Sequence, residues 1–336
     1  MRTTARTWYL VATAWLLAAG AAGSAPVSEP TLLRRLPPRM LDRMAASGMP
    51  DGNGLVGRNR GQWLHVALQR GAMLPLAVAA ARGDRERAEA AWRAVDAAFS
   101  RQLPSGSFRM GSLEGRAPAR GDDLSGTSFW IGELCHALLV VQACPLGNDF
   151  ADRIQALMPK IRRAAAWLNQ GKAELEQYDR QTANRLGFDA QAFGLAGVVL
   201  AEPALRETGN HFLRLALALQ RPDGVLLEKG GGDSSYQAVS LLRLQVYACY
   251  LPSPELEAAI ARGVRWELGR VKDTGEVDVS DNTRVRPGGE RFLGAEKAVS
   301  YSEVVLSLLY YWARRDDQQA LTAAERAFDY AVRSRP

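Results

Sequence analysis

Apolar positions recur at three- and four-residue spacing along almost the whole chain, and strict strand-type alternation is nearly absent. The pattern predicts helices over 61–82, 84–101, 125–143, 149–170 and 183–200. It continues with 203–220, 235–250, 254–271, 297–314 and 318–333, and a shorter helix falls near 30–47. Some connections are tight and polar, such as Arg82-Gly83-Asp84 and Ala201-Glu202-Pro203. Others are long and share a theme, in which a small or acidic residue and a glycine precede a short apolar stretch. LPSGSF at 103–108, RPDGVLL at 221–227 and KDTGEVDV at 272–279 show it, and Gly171 is a weaker relative. Gly106, Gly171, Gly224 and Gly275 are 65, 53 and 51 residues apart. That period suits a helical hairpin plus one long loop, repeated along the chain. The predicted fold is therefore all-α: an incomplete (α/α)5-6 toroid of about five or six hairpins, one domain over residues 25–336. An open superhelix is the alternative, with repeats that are usually shorter and tighter. In a toroid, alternate helices run antiparallel, so every second helix starts at the same end. The loops of Gly106, Gly224 and Gly275 lead to that end, and chemistry is expected there, on loops held by a rigid scaffold.

Residues 1–24 break the helical-repeat pattern. Arg2 and Arg6 precede the apolar run 8–19, which is short for a bilayer span, and small residues follow. This is the pattern of a secretory signal peptide cleaved near Ser24, with an uncleaved anchor as the alternative. The expected location is periplasmic or secreted. Without Arg2 and Arg6, 40 basic residues face 36 acidic ones, a net charge of +4. This mild excess tolerates a polyanionic partner, and no Lys/Arg block of the nucleic-acid kind is present. Cys135, Cys144 and Cys249 are too few and too scattered for a disulfide scaffold or a CxxC metal site, and read as buried structural residues. His65, His136 and His211 form no metal-binding pair at helical spacing. No metal or organic cofactor is expected.

The first turns of the predicted inner helices collect the candidate chemistry. They contribute Arg58, Asn59, Arg60 and Trp63; Asp122, Asp123, Ser125 and Trp130; and Asn184 with Arg185. Further along come Glu228, Asp233, Ser234, Ser235 and Tyr236, then Lys297, Ser300, Tyr301 and Glu303. Loops add Arg109, Asn282 and Arg284. Aromatic faces stack on sugar rings, and arginine grips carboxylates through paired hydrogen bonds. Helix capping is the better account of Asp122, Ser234 and Ser300. It does not account for Arg185, Tyr236 or Arg284, and Thr182 could cap the helix that Asn184 begins.

Residues 183–241 resemble the catalytic core of the heparinase II/III-like and alginate-lyase-type polysaccharide lyases, which are α/α toroids. In those families an Asn-Asn-His-Leu segment starts one inner helix. An Asp-Gly loop and a Glu follow, and a Tyr opens the next inner helix. Asn184, Asp223, Gly224, Glu228 and Tyr236 fall in that order at similar spacing. Two positions depart: Arg185 stands where the family has histidine, and Gln237 follows the tyrosine. The Asn210-His211 pair is placed on an outer helix.

The resemblance implies β-elimination in a uronic-acid polymer. Asn184, with Arg185 or Arg284, would neutralise the substrate carboxylate, and Tyr236 would serve as base, acid or both. Arg109, Trp63, Trp130, Glu228, Asp233, Arg284 and Tyr301 would bind the sugar chain. The expected partner is an anionic polysaccharide, with possible association with a polysaccharide secretion system. Two rivals remain. One is a glycoside hydrolase pairing Asp122 or Asp123 with Glu228 or Asp233. The other is a non-catalytic polysaccharide-handling protein.

Overall fold

The computed structural model describes residues 28–112, 117–292 and 294–334; the predicted signal peptide lies outside them. Thirteen α-helices are present among the described residues. They are α1 (Glu29–Arg35), α2 (Pro38–Ser47), α3 (Met73–Arg82), α4 (Arg85–Phe99), α5 (Arg120–Gln142), α6 (Ala151–Gln170) and α7 (Lys172–Asp179). The series continues with α8 (Ala183–Val199), α9 (Pro203–Ala218), α10 (Ser234–Tyr250), α11 (Pro254–Leu268), α12 (Tyr301–Arg315) and α13 (Gln318–Arg333). A two-stranded hairpin, Arg291–Phe292 with Ala295–Glu296, is the whole of the described sheet.

Two classes of helix build the ring. Helices α5, α8 and α10 are buried on nearly every face. Helices α4, α6, α9, α11 and α13 carry one apolar stripe and a solvated back, as an outer layer must. The inner helices touch in the order α3, α5, α8, α10, α12, and α1 bridges α12 back to α3. Five hairpins plus the short α1–α2 pair thus close the circle. Pro37 and Pro38 split the predicted helix 30–47 into α1 and α2, because proline cannot donate within a helix. The predicted helix 61–82 is helical only from Val66, first as a 3-10 segment to Ala72 and then as α3.

The loop repeat is real for three of the four glycines. Gly106, Gly224 and Gly275 have φ of +100°, +98° and +87°. A Cβ at these positions would sit 2.2, 2.3 and 2.0 Å from the carbonyl oxygens of Arg163, Arg262 and Arg326 on the next outer helix. Gln102 and Gln220 repeat the stitch: each amide donates to its own loop glycine's carbonyl and to a carbonyl of the neighbouring outer helix, Lys160 or Ala259. Gly171 has ordinary φ and merely joins α6 to α7, a helix absent from the periodicity reading.

One buried residue locks the ring. Glu29, the first residue of α1, is 2% exposed. Its carboxylate accepts from Tyr310 Oη at 2.7 Å and Tyr250 Oη at 2.5 Å, and lies 2.6 Å from His136 Nε2. These partners come from α12, α10 and α5, which can meet only on the ring axis. Burial pushes the Glu29 carboxyl up, but His136 and the two phenols overcome it and hold the group below its ordinary value.

Gly224→Ala tests the loop stitch. The left-handed backbone and the collision with Arg262 should lower stability by about 2–4 kcal/mol. Gly83→Ala, also at positive φ but with open space around it, should lose only about 1 kcal/mol. Urea unfolding of both variants measures the difference.

Candidate active site

The start of α8 has unsatisfied backbone donors, as every helix does. Thr182 makes no side-chain cap. The preceding loop of α10 supplies the acceptors instead: Ala183 N–H donates to Leu227 O, and Asn184 N–H donates to Glu228 Oε1 at 2.8 Å. The other oxygen, Glu228 Oε2, accepts from Arg284 Nη1 at 2.5 Å. Arg284 reaches it because its own loop is sewn to the start of α10. Asp233 caps α10 by accepting from Tyr236 N–H, and its second oxygen accepts from Arg284 N–H and Val285 N–H. Asn282 ties the same loop to Ser234 N–H.

The Arg284 guanidinium then lies over the Tyr236 ring, 3.8 Å from its centroid, and donates from Nε to Glu290. Lys297 Nζ is 5.3 Å from the same ring and 2.6 Å from Glu290 Oε2. Tyr236, the third residue of α10, is therefore faced by two cations. Burial raises the Glu228 carboxyl to about 7 despite the Arg284 charge. Burial also pushes Glu290 upward, but hydrogen bonds from Lys229 and Lys297 and the Arg284 charge hold it at about 2.

Below this rim runs an axial column. Phe129 of α5 and Phe188 of α8 stack at 4.2 Å, with the Arg70 guanidinium 5.5 Å from each ring. Arg243 of α10 lies 5.0 Å from Phe188 and pairs with Glu133 of α5 and Glu303 of α12. Burial pushes the Arg70 and Arg243 guanidinium groups down, and the Glu303 charge works against this for both. Arg70 also feels Tyr236. Rim and column are thus linked through the charge of Arg70, and the column carries charges of both signs around an aromatic pair. Among the described residues, no three His, Cys, Asp or Glu side chains gather as a metal-holding group.

Neither a family model nor a curated protein matches the sequence. Among solved structures, the chain is similar to a D-mannose isomerase, with 13% identity, 87% of this chain and 86% of that chain covered, and a TM-score of 0.50. It is also similar to an unsaturated glucuronyl hydrolase with dGlcA-Glc-Rha-Glc, at 14% identity, 83% and 97% coverage and a TM-score of 0.39. The chain is an α/α toroid. Likeness at these identities establishes the fold and leaves the chemistry to the site.

The toroid brings some of the sequence-predicted residues together and disperses others. Tyr236, Arg284 and Lys297 meet on one rim, Asn184 is tied to it through its backbone N–H on Glu228, and Glu303 joins the column through Arg243. Arg185 turns away from it, pairing with Asp179 at 2.9 Å beside Tyr178. Trp130 is fully buried against Phe99 of the outer layer, so it cannot stack on a sugar. Tyr301 packs on Tyr330 of α13 and accepts from Val277 N–H, again on the outer side. Glu228 and Asp233 spend every oxygen on the protein, so they position the site rather than bind a ligand. Asp122 is likewise engaged, by Ala119 N–H and the Tyr178 hydroxyl. The hydrolase pairing of Asp122 or Asp123 with Glu228 or Asp233 is thus not presented to a substrate. Trp63 donates to Arg109 O, and the Arg101 guanidinium covers one face of its ring. Arg109 itself is exposed on that loop. His211 pairs with Glu176 on the outer layer, as expected. Arg70, Phe129, Glu133, Phe188 and Arg243 escaped the sequence reading. For Glu133 and Arg243 the signal was charge in the middle of helices with no polar face.

The raised Glu228 carboxyl gives a signed prediction. It binds a proton in the folded protein up to about pH 7, and in the unfolded chain only up to about 4.3. Its contribution to stability is therefore complete at low pH and is lost as pH rises toward and through 7. Unfolding midpoints at pH 5, 6 and 7.5 should fall more steeply for the wild type than for Glu228→Gln.

Proposed function

We propose that the chain is an exported polysaccharide lyase that cleaves a uronic-acid-containing polymer by β-elimination. The observation that carries this reading is Tyr236, held at the mouth of the ring with Arg284 and Lys297 on its ring and Asn184 on the neighbouring inner helix. Cations beside a phenol stabilise the negative charge that builds on its oxygen as it takes part in proton transfer. Tyr236 removes the C5 proton of a uronate. The released electron pair forms the C4=C5 double bond, the bond from C4 to the glycosidic oxygen breaks, and that oxygen takes up a proton. The Tyr236 hydroxyl, now protonated, returns it. The products are an unsaturated uronate and a free hydroxyl end, and no water is consumed.

Charge builds on the substrate carboxylate as the C5 proton leaves. Stabilising it is the larger share of such catalysis, and in this reading Arg284, Asn184 and Arg70 supply that stabilisation. Phe129 and Phe188 supply the apolar floor that Trp130 and Tyr301 do not. The likeness of fold to a D-mannose isomerase supports a carbohydrate ligand. Export rests on the N-terminal sequence pattern alone, and association with a polysaccharide secretion system would follow from it.

One observation favours a second reading. Glu133 and Glu303 both reach Arg243 on the axis, and two carboxylates near one sugar are what a glycosidase uses. The assay separates the two readings. Purified protein is incubated with alginate, glucuronan, heparosan and hyaluronan, and the ultraviolet absorbance of new C4=C5 bonds is followed. Tyr236→Phe should lose at least about 100-fold in rate. Full lyase activity in that variant sinks the tyrosine mechanism. New reducing ends without absorbance, abolished by Glu303→Gln, establish the hydrolase.

A further inference from the structure

Beside the axial site lies a second concavity of about 660 Å³, between the starts of α5 and α8 and the flank of α7. Its size falls in the usual range for ligand pockets. Arg120, Arg180, Arg185 and Lys229 line it, with Tyr178 and Gln181 among them, and Glu174 is the one acidic residue of the lining. Tyr178 is 41% exposed, one of two large apolar side chains left open to solvent among the described residues. It is nonetheless fixed. Its ring lies so close to α5 that a Cβ on Gly121 would meet it at 2.4 Å, and its hydroxyl donates to Asp122. The Arg185 guanidinium sits 5.2 Å from its centroid. An exposed aromatic held rigid among cations is a poor solvent-facing choice and a good platform for an acidic sugar.

The cations are unequally compensated. Arg120 pairs with Glu174, and Lys229 with Glu290. Arg185 pairs with the fully buried Asp179, which shares its pocket with Asp189. Burial raises both of these carboxyls, and each leaves one oxygen without a partner. Arg180 is exposed and has no carboxylate within ion-pair distance among the described residues. The concavity is also one residue away from the axial site. Asn184 donates its backbone N–H to Glu228 while the next residue, Arg185, lines the cleft, and Glu228 holds Arg284 while the next residue, Lys229, lines the cleft.

We propose that this concavity is a second subsite, binding an acidic sugar of the same chain that occupies the axial site. The identity of the occupant as a uronate rests on the lyase reading above. The protein then senses several units of an anionic polymer rather than a single sugar.

The test is calorimetric titration with hexamers of glucuronate, mannuronate and guluronate, and with the same hexamers reduced at the carboxyl to neutral sugars. All proteins carry Tyr236→Phe so that the probe survives. The subsite predicts that Arg180→Ala and Tyr178→Ala each weaken the best acidic hexamer by about 10-fold, with the fold retained by circular dichroism. It predicts that the neutral counterpart binds at least 10-fold more weakly and does not respond to Arg180→Ala. Unchanged affinity in Arg180→Ala, equal binding of the neutral hexamer, or no hexamer binding at all overturns it. The reaction is judged separately. Weakened binding in these variants without C4=C5 absorbance in the wild type keeps the subsite and discards the lyase. Absorbance with binding indifferent to Arg180 does the reverse.

Discussion

The ion pair between Glu228 and Arg284 is the contact on which the mouth of this toroid depends. Both side chains are almost completely buried, and taking two such charges out of water costs several kcal/mol each unless further hydrogen bonds complete them. Here they do. Glu228 also terminates α8, and Arg284 also engages Glu290 and covers Tyr236. The pair therefore joins three separate stretches of chain: the start of one inner helix, the start of the next, and the loop before the last. Neither charge contributes much to stability on its own account. Their value is geometric, because no apolar pair of the same volume would both cap a helix and hold a cation over a phenol.

The axial column obeys the same economy at greater depth. Arg243 answers two glutamates, Glu29 answers a histidine and two tyrosines, and each cluster ties α5, across the ring, to the adjacent pair α10 and α12. Apolar packing alone would let the inner helices rotate or slide relative to one another. Directional contacts across the axis fix their rotation, and with it the direction in which the rim side chains project.

Fold and site were legible in the sequence to different degrees, for a physical reason. The repeated glycine loops could be read because a left-handed residue in close approach to a backbone admits almost nothing but glycine. The nearness of Asn184 and Tyr236, at the starts of α8 and α10, could be read because antiparallel hairpins bring alternate helix starts to one end. Trp130 and Tyr301 failed because a place in the first turns says nothing about azimuth. Each residue along a helix turns the side chain by about 100°. Trp130 is one step from Phe129 and Tyr301 two steps from Glu303, and in both cases the neighbour faces the axis while the aromatic faces the outer layer. Glu228 and Asp233 were legible as positions but not as roles, since only the three-dimensional loop shows that backbone amides and Arg284 already occupy their oxygens.

The lock at Glu29 bears on how the molecule is made. Glu29 stands at the start of the described chain, and one of its partners, Tyr310, lies 281 positions later. Contacts of such separation form slowly, because the intervening chain must first be brought together. Until α12 has been synthesised and docked, the α1 carboxylate has no complete set of donors and the circle stays open. The hairpins can each collapse as they emerge, but the last seam joins an early-made helix to one made 281 positions later. A truncated or stalled product would then be a broken arc with an unsatisfied acid at one end and bare inner-helix faces at the other, a natural substrate for proteolysis.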